Sequence, residues 1–329
     1  MKIRFVPAQP HCFAYGGFDI QMHRTLEVLR ARGVNACPLD FWSRDGDFDI
    51  IHFWGFDATH LLAAQFAHRY GKRIVLTPLV QYLTFGARMR YVVSLLEGAA
   101  RDRISLGRLV NRFLIVNELQ GDTLRAFYGV PQSKLDVIPT MLDDHFFDAE
   151  PRFESLTDGF AQFLICAGNI CARKNQHRLA EAAITAGIPV LFAGNIMGGE
   201  EDYAEAFARL IAPYSFLRWN KWMTGSELQR AYRAAVGVVL PSFEEQQPTV
   251  GLEAAALGKP LMLGNKAYAT QKFYRNAYLA KPSSVHHIAA GLKALVNDPA
   301  RYTPPCDVIQ ECRADRVADK LAAVYTSLL

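Results

Sequence analysis

The chain lacks the marks of several protein classes. Its six cysteines (Cys12, Cys37, Cys166, Cys171, Cys306, Cys312) form no C-x-x-C pair and no zinc-finger spacing, which argues against a redox motif and a structural zinc site. Cys166 and Cys171 flank an expected strand end, where a free buried thiol is the usual occupant, so a reducing compartment fits best. No apolar run approaches the roughly 20 residues of a membrane span. The opening MKIRFVPAQP passes from one short apolar run to Pro without a signal-peptide core. The expected location is cytoplasmic, with the inner face of the membrane as a variant. Charge of one sign is scarce too. With 36 basic and 32 acidic residues the net charge is +4, too little to imply nucleic acid. Repeats and low-complexity tracts are missing. So are clusters of His, Cys and Asp with metal-ligand spacing. Asp47-Phe48-Asp49 has the form of a metal motif, but it sits in the turn SRDGDFD before a strand and is read as structural. Neither metal nor cofactor is expected.

What is present is enough for two domains, since 329 residues of which 50% are apolar can build ample core. Short β-rich runs alternate with amphipathic stretches, the pattern of parallel α/β sheets. The first half offers strands KIRFVP, DIIHFWG, RIVLTP, RFLIVN and LDVIP. Helical patterns fall between them, including IQMHRTLEVLRARG and a single long stretch MRYVVSLLEGAARDRI. The acidic, turn-rich DDHFFDAEPRFESLTDG breaks the rhythm and is assigned as linker and hinge, with the domains at 1–150 and 151–312. The second half restarts with FLICAG, IPVLFAGN, SFLRWN, VGVVLP and KPLMLG. Residues 313–329 form an amphipathic helix with apolar positions 317, 321, 324 and 328. Two such α/β domains are expected to face one another across a cleft, with ligands at the carboxyl ends of the strands.

The most informative stretch is SFEEQQPTVGLEAAALGKP, directly after VGVVLP. Pro248 suits a first helical position. The amides of Thr249, Val250 and Gly251 are then expected to be free at a helix start, where the macrodipole favours anions. Glu245 and Glu253 would repel phosphate and suit sugar or ribose hydroxyls better. Read alone, the stretch is more often a capped, acidic helix start than a site. Lys174 and Arg173, in the loop ARKNQ between a strand and a helix, are either solvated charges or anion ligands. Gly16-Gly17 is a turn that lacks the G-x-G-x-x-G of a dehydrogenase. His52 lies in IIHFWGF, where a core histidine is the commoner outcome; its place near a strand's carboxyl end keeps it as an acceptor-side candidate. Between Arg88 and Arg112 six arginines face Glu97 and Asp102. Such a basic amphipathic segment either lies on an anionic membrane or packs on its own domain.

In order along nearly the whole chain, these elements resemble retaining glycosyltransferases of the GT-B fold, specifically glycosyltransferase family 4. The block LQRAYRAAVGVVLPSFEEQQPTVGLEAAALGKPLML is similar to that family's donor region, with its Glu-x7-Glu motif on Glu245 and Glu253. ICAGNICARKNQHRLAEAA resembles the family's strand-Gly-loop-Lys-Asn-helix element. YGGFDIQMHRTLEVLRARGV resembles its Gly-Gly loop and first helix.

The resemblance implies a nucleotide-diphosphate-sugar donor held by Gly16, Gly17, Gly168, Asn169, Arg173, Lys174, Glu245, Thr249, Val250, Gly251 and Glu253. It implies catalytic roles for Glu245 and Lys174, and a C-terminal helix returning to the first domain. The acceptor would be a saccharide, a lipid-linked or another glycan, in cell-surface polysaccharide or glycoconjugate synthesis. Three departures stand out. Asn169 replaces the family's Arg, Gln246-Gln247-Pro248 replaces Gly-Phe-Gly, and Pro78-Leu79 stands where a His is common. A sugar-nucleotide epimerase on the same fold and a non-catalytic carbohydrate-binding relative are the alternatives.

Overall fold

The structure is a computed structural model and describes residues 1–12, 16–80, 82–96, 98–147, 162–223 and 225–329. It divides into two units, one of Met1–Met141 with Glu311–Leu329 and one of Leu142–Gln310. The expected hinge at 148–158 falls outside the described residues.

The first unit is a parallel sheet of β1 (Lys2–Val6), β2 (Asn35–Pro38), β3 (Ile50–Trp54), β4 (Arg73–Thr77), β5 (Arg112–Ile115) and β6 (Leu135–Val137), in the order β2-β1-β3-β4-β5-β6. Its helices are α1 (Gly17–Ala31), α2 (Leu61–Arg69), α3 (Phe85–Leu96), α4 (Ala99–Leu109) and α5 (Glu118–Tyr128). Central strands covered on both faces need unbroken apolar runs, and all five residues of β3 are buried. One core lies where Ala64, Ala67, Leu106 and Leu124 meet Phe53 and Phe113. The other lies under α1, where Met22, Leu26 and Leu29 meet Ile3 and Phe5.

The second unit repeats the plan with β7 (Leu164–Ala167), β8 (Val190–Ala193), β9 (Leu217–Asn220), β10 (Gly237–Leu240), β11 (Leu261–Gly264) and β12 (Tyr278–Ala280). The strands run parallel in the order β12-β11-β10-β7-β8-β9. Around them lie α6 (Gln176–Ala186), α7 (Glu201–Ile211), α8 (Gly225–Ala234), α9 (Thr249–Ala256), α10 (Val285–Asn297) and the short α11 (Cys306–Ile309). The chain runs outward from β7 to β9, then returns to β10 on β7's other side. β7 and β10 therefore flank the switch point of the sheet, where open α/β sheets place ligands. The last helix, α12 (Ala314–Thr326), belongs to the first unit, and Val317, Leu321 and Tyr325 complete the α1-side core.

Two corrections follow for the sequence reading. The long helical stretch at 89–104 is two helices, because Gly98 takes φ +87° and starts α4. The sheets also have two strands that were not foreseen, β2 and β12, both short edge strands. β2 (NACP) carries neither alternation nor an apolar run, and the three residues of β12 (YLA) are too few to mark a strand.

Candidate functional site

β7 ends at Ala167, and the next residue, Gly168, has φ +139°. The neighbouring β8 ends beside it. A Cβ on Gly194 (φ +151°) would fall 2.3 Å from the Gly168 carbonyl oxygen, so the two strand ends approach as only glycine permits. From Gly168 the chain passes through a single 3-10 turn, Ala172–Lys174, to Asn175. Asn175 sits in the left-handed region at φ 66°, a conformation that Asn tolerates better than most residues. Its buried amide donates to the Pro241 carbonyl at 3.0 Å and the Pro282 carbonyl at 2.8 Å. One side chain thus ties the loop after β7 to the ends of β10 and β12. Gln176 braces the same loop, donating to the Asn169 carbonyl at 2.9 Å.

The loop after β10 is stitched to it by backbone. Phe243 N–H donates to the Arg173 carbonyl at 2.9 Å, and Arg173 Nη1 donates to the Glu244 carbonyl at 2.7 Å. This brings Glu245 between two cations, with Lys174 Nζ at 2.6 Å from Oε1 and Arg173 Nη1 at 3.2 Å from Oε2. Glu245 is buried, and burial alone would raise its pKa. The charges of Lys174 and Arg173 outweigh that, and the carboxyl sits below its ordinary range. The Lys174 stem packs over Gly168, where a Cβ would meet its Cε at 3.4 Å. Within this trio two cations face one carboxylate, an excess of one positive charge that suits an anionic ligand. Asn169 lies exposed on the same loop.

The helix α9 follows with one change from expectation. Pro248 precedes the helix instead of being its first residue, and its carbonyl accepts from Gly251 N–H at 2.9 Å and Leu252 N–H at 3.2 Å. The Gly251 amide is therefore spent within the fold. Thr249 and Val250, half-buried, form the helix start. Gly251 has a packing reason of its own. A Cβ there would fall 2.8 Å from Tyr274 Cε1, and the Tyr274 hydroxyl donates to the Pro248 carbonyl at 3.2 Å. The glutamines that depart from the family pattern are also used structurally. Gln247 donates to Gln271 at 2.8 Å, and Gln271 donates back to the Gln246 carbonyl at 2.8 Å. Glu253 is half-buried beside Tyr232 of α8, whose phenol is pushed well above its usual pKa by burial and then by the Glu253 charge.

Gly168, Arg173, Lys174 and Glu245 are thus brought together, with α9 following from the same loop. Asn175, Gln176, Gln271 and Tyr274 were not foreseen. Only Asn175 had a local signal, an Asn directly before a helix start.

In the first unit, Gly16 caps α1 in extended conformation, and its N–H donates to Asp19 at 2.9 Å. A Cβ on Gly16 or on Gly17 would meet nothing within 4 Å. His52, a candidate for an acceptor-side catalytic role from its place near a strand's carboxyl end, is instead a core histidine. It is fully buried in β3, with Nε2 at 2.8 Å from the Thr77 hydroxyl and Nδ1 at 2.9 Å from the Tyr325 hydroxyl, and burial lowers its pKa to about 3. Thr77 and Trp54 line a cavity of about 70 Å³ nearby. Asp49 accepts from the Lys2 amide at 2.7 Å and Asp47 pairs with the Lys2 ammonium, so both aspartates serve the strand end. Among the described residues, no group of three His, Cys, Asp or Glu could hold a metal ion.

Residues 161–298, all within the second unit, match the family Glycosyl transferases group 1. Together with the paired parallel sheets, this supports a glycosyltransferase of the GT-B fold. Among particular relatives, the chain is 24% identical to D-inositol 3-phosphate glycosyltransferase of Nocardiopsis dassonvillei, over 99% of this chain and 80% of that protein. Among solved structures it is similar to Anabaena HepE in complex with UDP and glucose, with TM-score 0.75, 15% identity, and 99% of this chain and 100% of that one covered. Sucrose-phosphate synthase from Thermosynechococcus elongatus superposes with TM-score 0.73 at 15% identity, covering 100% of this chain and 99% of that one.

Proposed function

We propose that the protein is a retaining glycosyltransferase of family 4. It moves a sugar from a nucleotide-diphosphate donor to a glycan or lipid-linked acceptor, with no resident metal. The observation that carries this reading is the Arg173–Lys174–Glu245 cluster at the switch point of the second sheet.

As the bond to the anomeric carbon weakens, negative charge grows on the departing diphosphate. Lys174 and Arg173 are fixed in place by Glu245 and by the backbone stitches, so they can meet that charge without reorganising, which is the term that often dominates enzymatic rate gains. Asn175 positions them through the loop. Glu253 is assigned to the ribose hydroxyls and Glu245 to the sugar hydroxyls. Gly16 and Gly17, at the start of α1, are assigned to the diphosphate by the resemblance alone. HepE was crystallised with UDP, which makes UDP the first nucleotide to try.

Calorimetric titration of UDP, GDP and ADP into wild type, Lys174→Ala and Glu253→Ala tests the reading. Glu253→Ala should weaken the nucleotide by about 1.5–3 kcal/mol, the value of charge-assisted hydrogen bonds. Lys174→Ala should weaken it too and reduce turnover further. Activity should persist in EDTA. Unchanged affinity in both folded variants would return these residues to a structural role. Turnover without release of nucleoside diphosphate would favour the epimerase.

A further inference from the structure

Helix α3 has two apolar faces, and only one is covered. Its packed side carries Ala87 and Tyr91; the Tyr91 ring stacks on Phe127 at 4.7 Å and its hydroxyl bonds the Phe127 carbonyl. The opposite side carries Met89, Val92, Val93 and Leu96, which are 52%, 50%, 48% and 82% exposed. Their spacing is i, i+3, i+4, i+7, so they form one continuous stripe. Leu79 and Leu83, just before the helix, are exposed as well.

At ~100° per residue, Arg88 and Arg90 fall about 100° to either side of Met89, one along each margin of the stripe. Both are exposed. The sequence from Leu79 to Leu96 contains no acidic residue.

We propose that this face of α3 docks on an anionic lipid bilayer, with the helix lying in the plane of the interface. An exposed apolar stripe of this size is unfavourable in water and marks a contact surface. Paired cations on its two margins select among occupants. Their long stems can run along the apolar stripe while the guanidinium groups reach out to lipid phosphates. A second copy docking in parallel register would bring Arg88 and Arg90 against their own kind, and the stretch Leu79 to Leu96 holds no acidic residue to pair with them. At 12 residues α3 cannot cross a membrane, and no described helix is long and apolar enough to do so. The proposal does not depend on the transfer reading, since the stripe lies in the first unit and the cation cluster in the second.

Co-sedimentation of the full chain with vesicles tests it, using phosphatidylcholine alone and phosphatidylcholine mixed with phosphatidylglycerol. The expected result is binding to the anionic vesicles, weakened by added salt. Val92→Asp with Leu96→Asp should reduce partitioning about tenfold or more, because two buried apolar side chains are replaced by charges that the lipid repels. Arg88→Ala with Arg90→Ala should remove the preference for anionic lipid. Both variants should keep the wild-type melting temperature and nucleotide affinity, which separates this test from that of the donor site. Absence of binding to either vesicle would overturn the proposal, as would unchanged binding by the Asp variant. A wild-type dimer in light scattering that the Asp variant dissociates would assign the stripe to self-association instead.

Discussion

His52 shows how burial decides what a titratable residue can do. Between Thr77 and Tyr325 its ring is satisfied as a neutral group, and desolvation lowers its pKa from 6.5 to about 3. The folded state therefore resists protonation that the unfolded chain accepts. Its contribution to stability is complete above pH 6.5 and is lost progressively as the pH falls from there towards 3, at ~1.4 kcal/mol per pH unit. Urea unfolding at pH 7 and pH 5 should show a loss of about 2 kcal/mol from this residue. His52→Gln should be less stable at pH 7 but lose correspondingly less on acidification. An equal loss in wild type and variant would mean that the ring can be protonated in place. Glu245 has the opposite balance, because two cations more than offset its burial. Its carboxyl is held below the usual carboxylate range, so it is ionised at neutral pH, and its charge holds Lys174 and Arg173 in place.

At the scale of elements, glycines that look alike in sequence separate into two kinds. Gly251 supports Tyr274, whereas Gly17 at the start of α1 has open space around it. Gly251→Ala forces Tyr274 or α9 to move and should cost about 1–3 kcal/mol, as overpacking does. Gly17→Ala should leave stability unchanged or slightly raised, since Ala is the better helix former, while lowering activity if a ligand approaches there. Thermal unfolding and turnover of the two variants check this. A stability loss in Gly17→Ala, or none in Gly251→Ala, would contradict the assignment.

The same contrast explains what could be read from the chain. The strand VGVVLP, the turn and α9 were legible because their signals lie within about twenty residues of one another. The edge strands β2 and β12 were not, since NACP has no strand pattern and YLA is only three residues long, whereas the edge strands β6 and β9 sit in longer runs, LDVIP and SFLRWN. The bonds from Asn175 to carbonyls 66 and 107 residues away have no local trace beyond the Asn itself. Neither has the seat of Gly251 on Tyr274. Cation and carboxylate were visible in the sequence, while the scaffold that fixes them depends on long-range packing.

At the scale of the molecule, the chain begins and ends in the same unit. α12 enters the first unit only after the whole second unit has been traversed, and it delivers Tyr325 to His52 across 273 residues of sequence. Stability of the first unit therefore depends on residues that come last, while the cation cluster and the side chains that brace it lie within Leu142–Gln310. Tyr325→Ala removes a fully buried ring and leaves His52 short of a partner, and large-to-small changes of this kind cost about 3–5 kcal/mol. That loss should fall on the first unit alone. Hydrogen exchange should show faster opening of β1, β3 and α1 in the variant, with β7, β8 and β10 protected as in wild type. Titration at a temperature where the variant is still folded should return wild-type nucleotide affinity, because Arg173, Lys174, Glu245 and Glu253 all lie in the second unit. Faster exchange in the second sheet as well would show that the two units unfold as one, and the Arg173–Lys174–Glu245 cluster would then depend on α12 despite sharing no residue with it.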